Sequence, residues 1–107
     1  MSTRALVSYS APPRRGEVVF VRTLVQHPME TGQRADGAGG RVPRDIVRRV
    51  EARLDGELVF AADLHPAVAA NPYLVFPLRA ERAGLLVITW AGDRGFAHRE
   101  QIAFEPA

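Results

Sequence analysis

The chain contains no cysteine. That excludes a disulfide, a thiolate-bound metal and any sulfur group carried covalently on a thiol of this polypeptide. It contains no lysine either, so all 14 basic residues are arginines, a usage best read as compositional bias. Against 12 acidic residues they leave a net charge of only +2, short of the dense basic patch that nucleic-acid binding requires. In the tightest basic group, Arg49 and Arg53 share one strand face with Glu51, while Arg48 falls on the other and Arg44 precedes them. A solvated, charge-mixed face explains that group better than a phosphate backbone does. No apolar run approaches bilayer-spanning length, and the first seven residues, Met1-Ser2-Thr3-Arg4-Ala5-Leu6-Val7, lack the apolar core of a secretory signal. By itself the sequence reads as a cytoplasmic or already processed chain with no membrane insertion. No amphipathic helix of useful length is present.

What is present suits one all-β domain. At 107 residues, 47% hydrophobic and 24% charged, the chain can bury enough surface to fold without a metal or disulfide. Turn residues recur every eight to twelve positions or so, with short β-rich runs between them. Ala5 to Tyr9 is the first expected strand. Val18 to Gln26 alternates, with Val19, Val21, Thr23 and Val25 on one face and Phe20, Arg22 and Gln26 on the other. Ile46 to Leu54 sets Ile46, Val50, Ala52 and Leu54 on a common face, and Asp55-Gly56 supplies a two-residue hairpin turn to the return strand Leu58 to Leu64. Leu74, Phe76, Leu78, Leu86, Ile88 and Trp90 are the expected central core, and the last strand is expected near Phe96 to Phe104. About seven antiparallel strands in this length predict an immunoglobulin-like β-sandwich held by packing alone, without a disulfide.

The residues from His27 to Asp45 form a long connection without periodicity, of a length that is functional or disordered more often than a short loop is. Its Ala35 to Gly40 part reads as a mobile tip. His27, Met29, Glu30, Gln33 and Arg34 read as a partner-binding surface, with Asn71 and Tyr73 of the Asn71-Pro72-Tyr73 triplet nearby and Phe20 beside Arg22 as exposed strand surface for association. The alternatives are a Pro-containing turn with Met29 packed beneath it, and a turn at Asn71-Pro72 with Tyr73 at the rim. A metal site on His27, Met29 and Glu30 would need His65 or His98 to converge on it and is not expected. Ser8 and Ser10 lack a nucleophile-elbow context, and Gly37, Gly39 and Gly40 are not followed by the lysine or helix of a phosphate-binding loop. No catalytic residue and no cofactor are expected.

The string His27-Pro28-Met29-Glu30-Thr31-Gly32-Gln33-Arg34, the segment Val42-Pro43-Arg44, the triplet Asn71-Pro72-Tyr73 and the Thr89-Trp90 strand end, in this order and spacing, resemble the SoxZ family. The likeness runs from about Gly16 to the C-terminus. It implies a non-catalytic subunit of the SoxYZ sulfur carrier, in a heterodimer with SoxY, whose cysteine on a flexible arm holds sulfur intermediates during thiosulfate oxidation. It also implies transient contact with other Sox enzymes, and periplasmic residence reached by co-export with signal-bearing SoxY. The glycine-rich stretch from Ala35 to Gly40 departs from the family pattern and takes no role from it. The competing expectation is a self-associating structural or adhesion-type sandwich with no sulfur role, and a homodimer when the chain is alone fits either reading.

Overall fold

The computed structural model describes residues 4–107. Strict alternation in β2 (Val18–Val25) buries Val19, Val21, Thr23 and Val25 and turns the residues between them outward. Thr23 is tolerated inside because its hydroxyl donates to the Leu74 carbonyl at 3.0 Å. β2 lies between β1 (Ala5–Tyr9) and β5 (Tyr73–Arg79) in an antiparallel three-stranded sheet. The second sheet is also antiparallel and runs β4 (Glu57–Asp63), β3 (Val47–Leu54), β6 (Gly84–Gly92), β7 (Ala97–Phe104). Seven strands in two facing antiparallel sheets make the expected immunoglobulin-like sandwich. Between its inner faces, Trp90, Phe76, Phe104, Leu86 and Ile88 are almost fully buried, and Phe60 stacks on Phe76 with ring centroids 4.4 Å apart.

Five of the six expected central residues are buried, whereas Leu74 is half-buried near the loop end. Asp55 and Gly56 both take positive φ, 48° and 87°, as the two central residues of a tight hairpin turn require. The Asp55 carboxylate also accepts the Leu85 amide at 2.7 Å, which ties the hairpin to β6.

Ile46, Val50, Ala52 and Leu54 are buried as expected, and Val47 joins them. Ile46 and Val47 are both buried, because the pairing of β3 with β6 shifts register between Val47 and Arg49. Such a bulge inserts one unpaired residue. Arg48 is that residue, and it is carried outward rather than into the core. Gly92 lies opposite Val47 in β6. A Cβ at Gly92 would collide with the Ile46 carbonyl oxygen, so this glycine permits a close backbone approach.

Candidate partner-binding surface

The connection from β2 to β3, the one from β4 to β5 and the turn from β6 to β7 meet at one end of the sandwich. The structure brings His27 and Asn71 together there, as expected. The His27 amide donates to Asn71 Oδ1 at 2.9 Å, and the Asn71 amide donates to the His27 carbonyl at 2.7 Å.

His27 and Met29, however, lie inside. They are 4% and 5% exposed, which corrects their placement on a contact surface. His27 Nδ1 accepts the Met29 amide at 3.0 Å, the ring meets Phe96 edge to face, and Nε2 faces the Asp45 carboxylate at 3.6 Å. Met29 Sδ accepts the buried Val47 amide at 3.2 Å, with Met29 held at φ 53°. The turn with Met29 packed beneath it is therefore what forms, because the thioether supplies an acceptor where the bulged start of β3 leaves an amide without a strand partner.

Beyond Met29 the connection runs out and back as an arm, paired at Glu30 with Asp45 and at Ala35 with Arg41. The Arg34 guanidinium clasps Glu30, with Nη2 to Oε1 at 2.6 Å. That bond, with the adjacent positive charge, holds the Glu30 carboxyl below the usual carboxylate range. Arg41 donates to Gln33 Oε1 at 2.9 Å. The polar heads of Glu30, Gln33 and Arg34 are thus engaged within the arm. The tip expected to be mobile is a closed turn: Asp36 Oδ1 accepts the amides of Ala38 and Gly40 at 2.8 and 3.1 Å. Where the arm returns, Asp93 anchors it, a role the sequence reading did not find. One Asp93 oxygen accepts from Arg44 at 2.9 Å, the other accepts the Ile46 amide at 3.1 Å, and Arg48 lies 3.3 Å away. The Arg44 bond foremost, then the Ile46 amide, lowers the Asp93 pKa against the opposing effect of desolvation.

The remaining expected contact residues lie on the outer face of the three-stranded sheet or at its edge. Phe20 is 49% and Tyr73 57% exposed. Register aligns them with residues not expected as contact surface: Leu6 with Leu24 and Leu24 with Tyr73 in one row, Ser8 with Arg22 and Arg22 with Val75 in the next, and Phe20 with Pro77 beyond. Arg22 stands amid this apolar surface and donates to the Tyr9 carbonyl at 2.7 Å. Two open depressions flank Leu6 and Leu24. One of about 390 Å³ reaches Arg4, Gln26 and Asn71, and the other, of about 330 Å³, has Arg22 and Tyr73 on its wall. The signal for Leu24 and Val75 was in the sequence, since β2 and β5 carry apolar residues on both faces, more than one core can bury.

Residues 7–103, nearly the whole chain, match the family described as sulphur oxidation protein SoxZ. The chain belongs to the SoxZ family. It is accordingly a component of the Sox sulfur-oxidation system. No curated protein sequence matches it. Among solved structures, a superoxide reductase (neelaredoxin) from Ignicoccus hospitalis is similar at 15% identity and TM-score 0.73, over 98% of this chain and 82% of that one. A superoxide reductase in the oxidized state is similar at 19% identity and TM-score 0.64, over 94% and 86%. A hypothetical protein from Pyrococcus horikoshii OT3 is similar at 17% identity and TM-score 0.60, over 94% and 85%. At these identities the likeness establishes the shared sandwich fold alone. Among the described residues no three His, Asp or Glu side chains converge as metal ligands.

Proposed function

We propose that this SoxZ-family chain is the non-catalytic subunit of the SoxYZ carrier, which binds and stabilises SoxY while a cysteine of SoxY holds the sulfur intermediates. The observation that carries this reading is an outer sheet face of Leu6, Phe20, Leu24, Tyr73 and Val75 left without a covering layer in a chain that has no thiol. A sandwich needs only its inner faces for a core, and a contiguous outer apolar face marks a site of association. With no cysteine, the chain takes part in sulfur transfer by holding the chain that has one.

The test is to mix the purified chain with SoxY, thiosulfate and the other Sox enzymes, then measure intact masses. SoxY gains the mass of the sulfur group, this chain keeps its own, and the two co-elute. A sulfur adduct on this chain, or failure to associate with SoxY, overturns the reading. Periplasmic residence by co-export belongs to the same proposal: removal of the SoxY signal retains both chains in the cytoplasm, and periplasmic recovery of this chain in cells lacking SoxY contradicts it.

A further inference from the structure

Resting on that heterodimer reading, we infer that the outer face of the β1-β2-β5 sheet docks the partner chain, and that the partner's matching surface is apolar with a carboxylate set against Arg22. The charge pattern selects this occupant. The outward residues of the three strands include Arg22 and Arg79 and no acidic residue. Arg79 already donates to the Gly16 carbonyl and lies 3.9 Å from Glu81. The Arg22 guanidinium has the Tyr9 carbonyl as a partner and no carboxylate within 4 Å among the described residues, although it borders the depression shared with Leu6, Leu24 and Tyr73.

A guanidinium carries five N–H donors in a planar fork, and covering it with apolar surface leaves donors and charge unpaired unless the covering surface brings an acceptor. A second copy of this chain brings none. Pairing the face with itself places two Arg22 side chains and no carboxylate in one desolvated layer, which is unfavourable. A heterologous partner with an acidic residue among apolar ones satisfies Arg22 and covers Phe20, Leu24 and Tyr73 together. The three strands, of 5, 8 and 7 residues, present at most roughly 14 by 26 Å, less than the about 800 Å² per side of a standard interface. The footprint therefore continues along the depression at Arg4 and Asn71 towards the loop end.

The experiment measures SoxY affinity by calorimetry at low and high salt for the wild-type chain and for Phe20→Asp, Tyr73→Asp, Arg22→Ala, Arg22→Glu and, on the opposite sheet face, Gln101→Glu. Each variant is melted first to establish that it is folded. Phe20→Asp and Tyr73→Asp are expected to weaken binding by about tenfold or more each. Arg22→Glu weakens it more than Arg22→Ala, Arg22→Ala lowers the salt dependence, and Gln101→Glu binds as wild type. Folded Phe20→Asp and Tyr73→Asp variants of undiminished affinity overturn the docking face while leaving the heterodimer standing. A wild-type chain that binds no SoxY overturns the heterodimer itself. An isolated chain that sediments as a dimer through Phe20, with SoxY affinity untouched by Phe20→Asp, overturns the choice of occupant.

Discussion

The two outer faces of the sandwich solve the problem of facing water in opposite ways. On the four-stranded sheet, Glu51 sits between Arg49 and Arg53 at 2.7 and 3.2 Å, and Arg49 also reaches Asp63 at 2.9 Å. Around them the outward positions of β6 and β7 are mixed, with Thr89 beside Arg99 and Val87 beside Gln101. Glu51 and Asp63 on that face each have an arginine partner, although Arg99 has no carboxylate within 4 Å among the described residues. The three-stranded sheet instead presents apolar rows with two arginines, Arg22 and Arg79, and no outward acidic residue. A face whose charges are internally paired gains little from being covered, because its partners must be desolvated; an apolar face gains with every square ångström. The difference is the ground on which the three-stranded face, rather than the face with the denser arginine group, is proposed as the docking side.

The sharpest way to break the comparison is to charge the apolar face twice. Phe20→Asp with Tyr73→Asp is expected to abolish measurable SoxY binding, a loss of about a hundredfold or more, while the thermal midpoint of the isolated chain stays close to wild type because both side chains are about half exposed. A midpoint that collapses instead makes these residues structural. Next in size is Met29→Leu, which keeps the volume but removes the acceptor for the buried Val47 amide. It is expected to cost about 1–3 kcal/mol in chemical denaturation, with SoxY affinity of the folded protein unchanged. Lost affinity without lost stability returns this position to the contact surface.

The acid limb gives a smaller effect. The Asp93 pKa is lowered from an ordinary 3.8, so its contribution to stability is fully present above that value and is lost as pH falls through the lower folded pKa. Melting of Asp93→Asn is expected to lie below wild type at neutral pH and to converge with it in strong acid; parallel curves remove Asp93 as the anchor. At the alkaline end, burial, and secondarily Glu105, raises the Tyr9 pKa to about 12 from 10.0. Tyr9 joins the sheets by donating its hydroxyl proton to the Ala103 carbonyl at 2.8 Å. Its contribution is present below pH 10 and is lost between there and about 12, and Tyr9→Phe flattens that part of the stability profile. The smallest expected change is Glu51→Gln on the ion-paired face: a slight, salt-sensitive fall in midpoint with SoxY affinity untouched. A clear loss of affinity there erases the contrast between the faces.

Strand patterning was readable wherever a period of two ran unbroken, as in β2, and wherever a turn required positive φ, as at Asp55-Gly56. The reading missed the burial of Val47 and the outward turn of Arg48, where a bulge shifts the register, because that shift depends on the close approach of Gly92 in β6. It failed again at His27 and Met29. Imidazole and thioether chemistry looks like a recognition surface in a run of residues, yet here it satisfies backbone amides at a sandwich end. Phe20 and Arg22 were legible as surplus outward residues of a strand whose other face already filled the core. Leu6, Leu24 and Val75 join them only through cross-strand register.

The sequence by itself determined the sandwich class, the absence of thiol chemistry and the family, because these depend on local alternation, on composition and on strings of adjacent residues. The tertiary structure decided which apolar residues form one continuous outer face, that the Arg34 fork is taken by Glu30, that Asp36 closes the arm's tip, and that Met29 faces inward. Each of those depends on groups brought together from separate strands or across a turn, and hydrogen bonds and burial are settled by distance in space rather than by distance along the chain.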